Sequence, residues 1–471
     1  MVCSQMNFPK PRKEGPALNI KGFLEKICVM SVLGLIAVVF LGEIIQTELL
    51  TIIQIILLIL LLTSGIILAR GIALYFSLAA LMIGHILFFS YKMDQSIWLE
   101  GITKNLPLGI LLVTVPLLSI PLKQGGYLET INYYVFKYLD RTCSLFGVLS
   151  GFIFIFSSIT NLGGIRVTKD LLEEAQFPPK FLAKVFTTGF GACVAWSPYY
   201  GSVNLVLYYT GVSFGSYFIY GIILGLLFLG LGNLLFYKDL ECQREVRLSG
   251  QNLNINAEDN GKIKELAIAL AGLLSLVIVG EKLLDLSNMM LLVSLIALFY
   301  AAVWSLLINR FKGFLLELKG YHKVILQFKN EVVFFLSVGF FGIVMAKTPF
   351  QYLLQDILGR VSNLSTFFLV EFIIIITVLL SSIGFHQVIT ITTLAFTINP
   401  ALIGLNDLTF SLTLMAAWTV CIIMSPFVPY NILLGGLIKE NSFTVGLKWN
   451  RTFGIIGILL SGAYIVLINS L

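Results

Sequence analysis

The chain has 471 residues, of which 58% are hydrophobic and only 12% are charged, with a formal net charge of +6. Soluble domains carry about 25% charged residues, so this composition excludes an ordinary water-soluble protein and indicates a membrane protein. The basic residues lie in short stretches between apolar segments and form no stripe with interleaved aromatic residues, so no nucleic-acid partner is expected.

Several basic residues, from Lys10 to Lys26, precede the first apolar run. This prefix is too long for a cleaved signal peptide, and no small-residue cleavage site follows it. We therefore expect residues 1–48 to form a cytoplasmic N-terminus and a first transmembrane helix. The protein is expected to be a multi-pass protein of the cytoplasmic (inner) membrane.

A membrane-spanning helix needs about 20 predominantly apolar residues. Eleven segments of this chain meet the requirement. The candidate spans are 27–45, 49–69, 71–91, 106–122, 181–212, 214–236, 264–281, 287–309, 331–347, 407–437 and 446–469. The predicted fold class is therefore an all-α polytopic membrane protein with about 11 transmembrane helices.

Two further apolar segments, about 142–163 and about 365–398, each meet a cluster of small and polar residues partway along. Lysine and arginine are concentrated on one side of the membrane only if neither segment crosses it. We therefore predict two re-entrant hairpins, the first open to the cytoplasm and the second open to the outside. This arrangement leaves the C-terminus outside.

The polar stretch 237–263 is predicted to be a mobile cytoplasmic linker between the two halves of the chain. Amphipathic stretches at 125–140 and 348–361 each precede a predicted hairpin. Their aromatic and charged residues favour helices that lie in the membrane interface.

The two halves, 49–236 and 264–471, carry the same order of elements: three spans, an interfacial helix, a hairpin, a broken span and a last span. The broken spans are 181–212 and 407–437, and each contains a Cys-x-x-x-Ser-Pro sequence. Each half has an odd number of spans, so the second enters the membrane inverted. Two inverted-topology repeats with paired broken helices are typical of secondary transporters.

A helix that is broken inside the membrane frees backbone N–H and C=O groups, and helix ends of this kind bind anions or ions. Uncharged polar residues at the tips of the hairpins and at the breaks can add ligands without burying a charge. The candidate substrate- and ion-binding residues are Ser157, Ser158, Thr160, Asn161, Ser197, Pro198, Asn204, Ser381, Ser382, His386, Ser425, Pro426 and Asn431.

A single Ser-Pro pair more often marks a simple kink, and a pair of serines more often serves helix packing. Duplication of both features in the same register favours a functional interpretation here. No catalytic residue, metal site or cofactor is expected, and Na+ is a candidate coupling ion.

Four titratable residues in apolar segments have two interpretations each. His386 either binds an anionic substrate or bonds a neighbouring serine or carbonyl group, whereas His85 is better explained by packing. Glu43 and Glu371 are candidate proton carriers. The predicted tips and breaks contain no Asp or Glu, which disfavours a cationic substrate and is compatible with an anion or a polar neutral solute.

These motifs resemble those of the ion transporter superfamily, most closely the divalent anion/sodium symporter (dicarboxylate transporter) family. Its members carry Ser-Asn-Thr at each hairpin tip and a Thr-Pro or similar break in the following span. Here Ser158, Thr160 and Asn161 stand at the first tip in altered order, and the second tip, from Ser381 to His386, has no Asn-Thr. The resemblance implies an elevator mechanism, in which a transport domain slides against a scaffold that forms a homodimer.

We therefore expect a secondary active transporter that moves a small organic anion, with a carboxylate favoured, coupled to sodium or protons. The chain has no nucleotide-binding or hydrolase motif, so neither ATP-driven transport nor enzyme activity is expected. The alternative is a multi-span membrane enzyme of polysaccharide assembly, such as a polymerase or ligase. Such enzymes tend to carry a large outer loop, and the outer loops here are short. A scaffold protein or lipid flippase is a third, weaker alternative.

Overall fold

The computed structural model describes residues 16–127, 137–138, 141–173, 175–249, 262–284, 286 and 288–471. Over these ranges the chain consists of helices joined by turns and short loops, with no strand. The predicted all-α fold is confirmed.

The first half of the chain contains twelve α-helices in these ranges. They are α1 (Pro16–Ile44), α2 (Glu48–Leu68), α3 (Ile72–Ser90), α4 (Gln95–Thr103), α5 (Leu106–Thr114), α6 (Ser119–Gln124), α7 (Thr142–Thr160), α8 (Leu162–Leu171), α9 (Pro179–Val194), α10 (Gly201–Thr210), α11 (Phe214–Lys238) and α12 (Leu240–Ser249). A 3₁₀ turn, Val115–Leu118, joins α5 to α6.

The second half contains eleven α-helices in the described part of the chain. They are α13 (Lys262–Leu283), α14 (Met289–Leu307), α15 (Phe311–Lys319), α16 (His322–Gln327), α17 (Lys329–Ala346), α18 (Phe350–Ser362), α19 (Thr366–Ser382), α20 (Gln387–Thr397), α21 (Asp407–Met424), α22 (Pro429–Ile438) and α23 (Arg451–Asn469). A 3₁₀ turn at Pro400–Ile403 and a π-helical turn at Thr444–Trp449 lie between them.

Eleven helical segments in the described ranges are long and apolar enough to cross a membrane, the number that was predicted. All but one overlap a predicted span. The exception is α7, which is long enough to span although the sequence assigns it to a hairpin. Conversely, the predicted span 181–212 is two shorter helices, α9 and α10, because residues 195–200 are not helical.

The first hairpin is longer than predicted. Its turn is at Asn161, which has a φ of 53°, and α8 then returns as far as Leu171. The prediction ended this hairpin at about residue 163 because the returning arm carries Arg166, Lys169 and Asp170. A search for apolar length therefore misses the second arm.

The second hairpin agrees with its predicted range of about 365–398. It consists of α19 and α20, joined by the turn Ile383–His386. Gly384 in this turn has a φ of 105°, a conformation that favours glycine.

The two halves use the same contacts. The long arm of each hairpin packs on the helix before the following break and on the last span: α7 packs on α9 and α11, and α19 packs on α21 and α23. Across the halves, α10 packs on α20 and α22 packs on α8. Each hairpin is therefore fixed by its own half and by the half-helix that follows the break in the other.

A second group of helices lies beside these elements. In it, α17 packs on α2, α3 and α4, and α14 packs on α5 and α13. The two groups meet mainly where α17 packs on α20 and where α5 packs on α10. At this boundary Gly342 faces the side chains of Thr392 and Phe396.

The prediction of a mobile linker at 237–263 is wrong for its first part. α11 continues to Lys238, and α12 follows with Cys242 and Val246 buried. These two residues are four positions apart and therefore lie on one face of a helix. Residues 250–261 lie outside the described residues, as does most of the predicted interfacial stretch 125–140. The stretch 348–361 corresponds to α18.

An ion-paired cluster holds α12 against the start of α9. Lys184 donates a hydrogen bond to the Asp239 carboxylate, and Lys180 lies 3.6 Å from the same group. Burial raises the pKa of Asp239, but the hydrogen bonds from Lys184 and from the Cys242 amide outweigh it and leave the pKa below its ordinary value. The carboxylate is therefore charged at neutral pH and anchors α12.

Close packing of α11 on α9 gives a testable prediction. A Cβ at Gly225 would lie 2.6 Å from the Ala192 carbonyl oxygen and 2.8 Å from Trp196 Cδ1. Gly225→Ala should therefore lower the free energy of unfolding by about 1–3 kcal/mol, the usual cost of overpacking. Thermal unfolding in detergent measures it.

The matched control is Gly230→Ala in the same helix, where an added Cβ meets nothing within 4 Å. This substitution should leave the melting temperature unchanged or slightly raised. Equal melting temperatures for the two variants would contradict the packing that the structure shows.

Candidate functional site

The first break, residues 195–200 between α9 and α10, is bonded to the tip of the first hairpin. Ser197 Oγ donates a hydrogen bond to the carbonyl oxygen of Ser158 at 2.6 Å. The hydroxyl of Tyr200 donates to the carbonyl oxygen of Ser157 at 2.9 Å. The break and the tip therefore form one unit, in which side chains of the break bond the last carbonyls of α7.

The second break, residues 425–428 between α21 and α22, repeats the arrangement. Ser425 Oγ donates to the carbonyl oxygen of Ser381, at the tip of the second hairpin, at 2.8 Å. Pro426 disfavours a helical conformation in the residue before it, and Ser425 has an extended ψ of 126°. The Ser-Pro pair therefore both ends the helix and supplies the hydroxyl that holds the hairpin.

One asparagine follows each break and partners the carbonyl groups that the break frees. Asn204 Nδ2 donates to the carbonyl oxygens of Pro198 and Tyr200. Asn431 Nδ2 donates to those of Ser425 and Ile422, at 2.8 and 2.9 Å. The asparagine amides thus stabilise both breaks in the same way.

The other end of each asparagine amide is unpartnered. Asn204 Oδ1 and Asn431 Oδ1 are buried and have no hydrogen-bond partner among the described residues. A buried acceptor without a partner costs about 1–3 kcal/mol. Each break therefore presents one oxygen atom that a bound cation or a donor group could satisfy.

The two breaks lie on either side of one phenylalanine ring. The ring of Phe190 is stacked on that of Tyr430, with centroids 4.5 Å apart, and lies 5.6 Å from that of Tyr200. Tyr430 bonds Thr187 Oγ1 at 3.2 Å, and Asn450 Nδ2 lies 3.3 Å from the same oxygen. The structure therefore brings the two breaks together around α9.

At the first tip, the predicted hydroxyl ligands bond their own helix. Ser158 Oγ donates to the carbonyl oxygen of Ile155, and Thr160 Oγ1 donates to that of Phe156. Asn161 Oδ1 accepts the N–H of Leu162 at the start of α8. In this conformation these side chains build the turn, and the backbone carbonyls of the tip face the break.

At the second tip, His386 is the N-cap of α20. Its Nδ1 accepts the N–H of Val388 at 3.3 Å, and its ring lies 4.7 Å from that of Phe334 on α17. His386 therefore lies at the boundary between the two groups of helices. Ser382 is half-buried beside the turn.

The remaining histidine and carboxyl candidates lie elsewhere. His85 bonds the Leu81 carbonyl oxygen and accepts the Trp98 indole N–H at 3.1 Å, which is a packing role. Glu371 is buried on α19, where its unpartnered Oε1 faces Gly462 of α23. The Glu371 carboxyl group therefore lies on the arm of the second hairpin and not at its tip.

The electrostatics of the site come from helix ends. No charged residue occurs in 157–162, 194–204, 381–387 or 424–431. Each of these segments contains the end of one helix and the start of the next. The exposed N–H groups at a helix start favour anions, and the carbonyl groups at a helix end favour cations.

Several residues of the site carry no pattern that sequence reasoning could use. Tyr200 and Tyr430 lie in the break motifs, but tyrosine in an apolar chain is common. Phe190 and Thr187 lie on an ordinary stretch of α9, and Asn450 follows the π-helical turn. Only the tertiary packing shows that these five residues join the breaks.

No protein-family model and no curated protein matches the chain. Among solved structures, it is similar to the Alcanivorax borkumensis YdaH transporter, with 18% identity and a TM-score of 0.48, over 84% of this chain and 98% of that one. It is also similar to Neisseria gonorrhoeae MtrF, with 13% identity and a TM-score of 0.44, over 78% of this chain and 83% of that one. Both TM-scores lie below 0.5, so neither similarity supports a conclusion about function.

The serine bonds between break and tip give a second prediction. Ser197→Ala leaves the Ser158 carbonyl without this donor and should lower the free energy of unfolding by about 1–3 kcal/mol. Ser425→Ala should lower the free energy of unfolding by less, because the Gly384 N–H also donates to the Ser381 carbonyl at 3.2 Å. Thermal unfolding of both variants measures the difference.

Ser337→Ala is the control, because Ser337 is fully buried and bonds only the Val333 carbonyl of its own helix. Its unfolding free energy should change by no more than about 0.5 kcal/mol. If Ser337→Ala lowered the free energy of unfolding as much as Ser197→Ala does, the bond to the hairpin tip would stabilise the protein no more than an ordinary bond within a helix.

Proposed function

We propose that this protein is a secondary active transporter that moves a small organic anion, a carboxylate by preference, across the cytoplasmic membrane. The observation that carries the proposal is the duplicated unit of a broken helix bonded through a serine hydroxyl to a hairpin tip. Broken helices near the middle of the membrane, paired between two repeats, are the usual construction of a transporter binding site. The resemblance to the divalent anion/sodium symporter family supports the same function.

The surroundings of the breaks favour an anionic substrate. The helices α10 and α22 begin at the breaks, and α8 and α20 begin at the hairpin tips. Their N–H groups attract negative charge, and no carboxylate occurs in these segments to oppose it. A carboxylate is small enough to be bound by helix ends alone.

Sodium is the favoured coupling ion. Asn204 Oδ1 and Asn431 Oδ1 are unpartnered oxygen acceptors at the breaks, and carbonyl oxygens at helix ends coordinate Na+ in other transporters. Protons are the alternative, and Glu371 would be their carrier. Glu371 lies on the arm of the second hairpin, away from its tip, so the acceptor oxygens at the breaks are the better candidates.

The boundary between the two helix groups suits an elevator motion. It is formed by close apolar contacts, such as Gly342 against Phe396 and Phe334 against His386. It also includes the bond from the Tyr209 hydroxyl to Asn105. The group with the hairpins and breaks would slide as a transport domain, and the other group would form the scaffold of a homodimer with its N-terminus in the cytoplasm.

Ligand-dependent unfolding tests the proposed function. The purified protein is heated with a panel of carboxylates, sulfate, amino acids and sugars, with and without sodium. A substrate at a hundred times its dissociation constant stabilises the native state by about 2.7 kcal/mol, which raises the melting temperature by several degrees. We expect a shift by one carboxylate that requires sodium.

A panel without any shift would contradict the proposal. A response to lipid-linked sugars alone would favour the alternative, a membrane enzyme of polysaccharide assembly. Potassium in place of sodium at equal ionic strength controls for a general effect of salt.

Replacement of the buried carboxyl distinguishes the two coupling ions. Glu371→Gln removes the titratable group and keeps the size of the side chain, so sodium-driven uptake into proteoliposomes should stay within about twofold of the wild type. Glu100→Gln on α4, whose side chain is 52% exposed, is the control. Uptake that is driven by a proton gradient in the wild type and lost only in Glu371→Gln would assign the coupling to protons instead.

A further inference from the structure

An open cavity lies away from the breaks, where α6 ends and α15 begins. It has a volume of about 790 Å³ and is lined by Gln124, Asn309, Arg310, Lys312 and Gly313, with Leu306 and Phe311 at its apolar side. None of these residues belongs to a hairpin or a broken helix. The cavity is therefore separate from the proposed transport site.

The cavity is positively charged. Arg310 and Lys312 both line it, and among the described residues no carboxylate forms an ion pair with either of them. Lys123, next to Gln124, is exposed at the same place. Two lining cations without counter-ions favour an anionic ligand.

Backbone groups add to this charge. α15 begins at Phe311, and no side chain caps its first turn. The first N–H groups of a helix have no partner within it and attract phosphate groups. The Gln124 side chain packs against α15 at Gly313, where a Cβ would lie 2.7 Å from Gln124 Oε1. The cavity thus offers hydrogen-bond donors for a phosphate.

Exposed leucines beside the cavity indicate where the ligand comes from. Leu306 and Leu307, at the end of the membrane-spanning α14, are 52% and 76% exposed, and Leu316 on α15 is 65% exposed. Exposed leucines at the end of a membrane-spanning helix are suited to contact with lipid chains. A ligand with both a phosphate and hydrocarbon chains would satisfy the two kinds of surface at once.

We infer that this cavity binds the headgroup of an anionic phospholipid. The phosphate lies at Arg310, Lys312 and the start of α15, and the acyl chains follow Leu306 and Leu307. The positive charge of this end of the bundle places the site in the cytoplasmic leaflet. The inference does not depend on the proposed transport activity.

Native mass spectrometry of the full-length protein tests the inference. Phosphatidylglycerol or phosphatidylcholine is titrated into the detergent-solubilised protein, and the bound lipid is counted. Each basic residue near a membrane surface contributes about 1 kcal/mol of attraction to an anionic lipid. Arg310→Gln/Lys312→Gln should therefore weaken phosphatidylglycerol binding about 30-fold and leave phosphatidylcholine binding unchanged.

The matched control is Lys319→Gln/Lys323→Gln, which removes two exposed charges near the same end of the bundle outside the cavity. It should bind phosphatidylglycerol as the wild type does. If the double cavity variant does not fold, Lys312→Gln alone should weaken binding about fivefold. High salt should weaken the binding in the wild type, because the attraction is electrostatic.

Two results would overturn the inference. One is equal retention of phosphatidylglycerol by the wild type and the folded cavity variants. The other is thermal stabilisation by glycerol phosphate or inorganic phosphate as large as that by phosphatidylglycerol, because the ligand would then be a soluble anion and not a lipid.

Discussion

A helix that is broken inside a membrane protein must find internal partners for the backbone groups that it frees, since the hydrocarbon offers none. Here an asparagine in the helix after each break partners the freed carbonyls, and a serine of each break bonds the backbone of the hairpin before it. Ser197 and Ser425 bond the carbonyls of the hairpin tips, and Asn204 and Asn431 bond the carbonyls of the breaks. The position of each hairpin therefore follows from the requirement to satisfy a broken helix.

This solution leaves the breaks and the hairpin tips without charged side chains. A charge there would have to be paired or desolvated at a cost of several kcal/mol. Helix ends carry only partial charges, so they bind a small anion or a cation without that cost in the empty state. Buried polar atoms without a partner in the described residues, among them Asn204 Oδ1 and Asn431 Oδ1, call for a ligand or for water.

Packing separates the molecule into two groups of helices. Around the breaks, glycines such as Gly225 let one helix contact the backbone of the next directly. This close packing fixes the breaks relative to the last spans. The other group meets the first along α17 and α5. The basic cavity between α6 and α15 lies beside this second group, away from the breaks.

The sequence by itself determined the features that depend on local composition: the apolar spans by their length, the two breaks by Ser-Pro, and the second hairpin by its small and polar turn. It misplaced the end of the first hairpin and missed α12, because α8 and α12 are polar helices that only their contacts hold in place. Tertiary structure alone decided that Ser158 offers its carbonyl and not its hydroxyl, and that Phe190 joins the two breaks. It likewise brought Gln124 beside Gly313. These contacts join residues far apart in the chain, and composition and periodicity report only on neighbours.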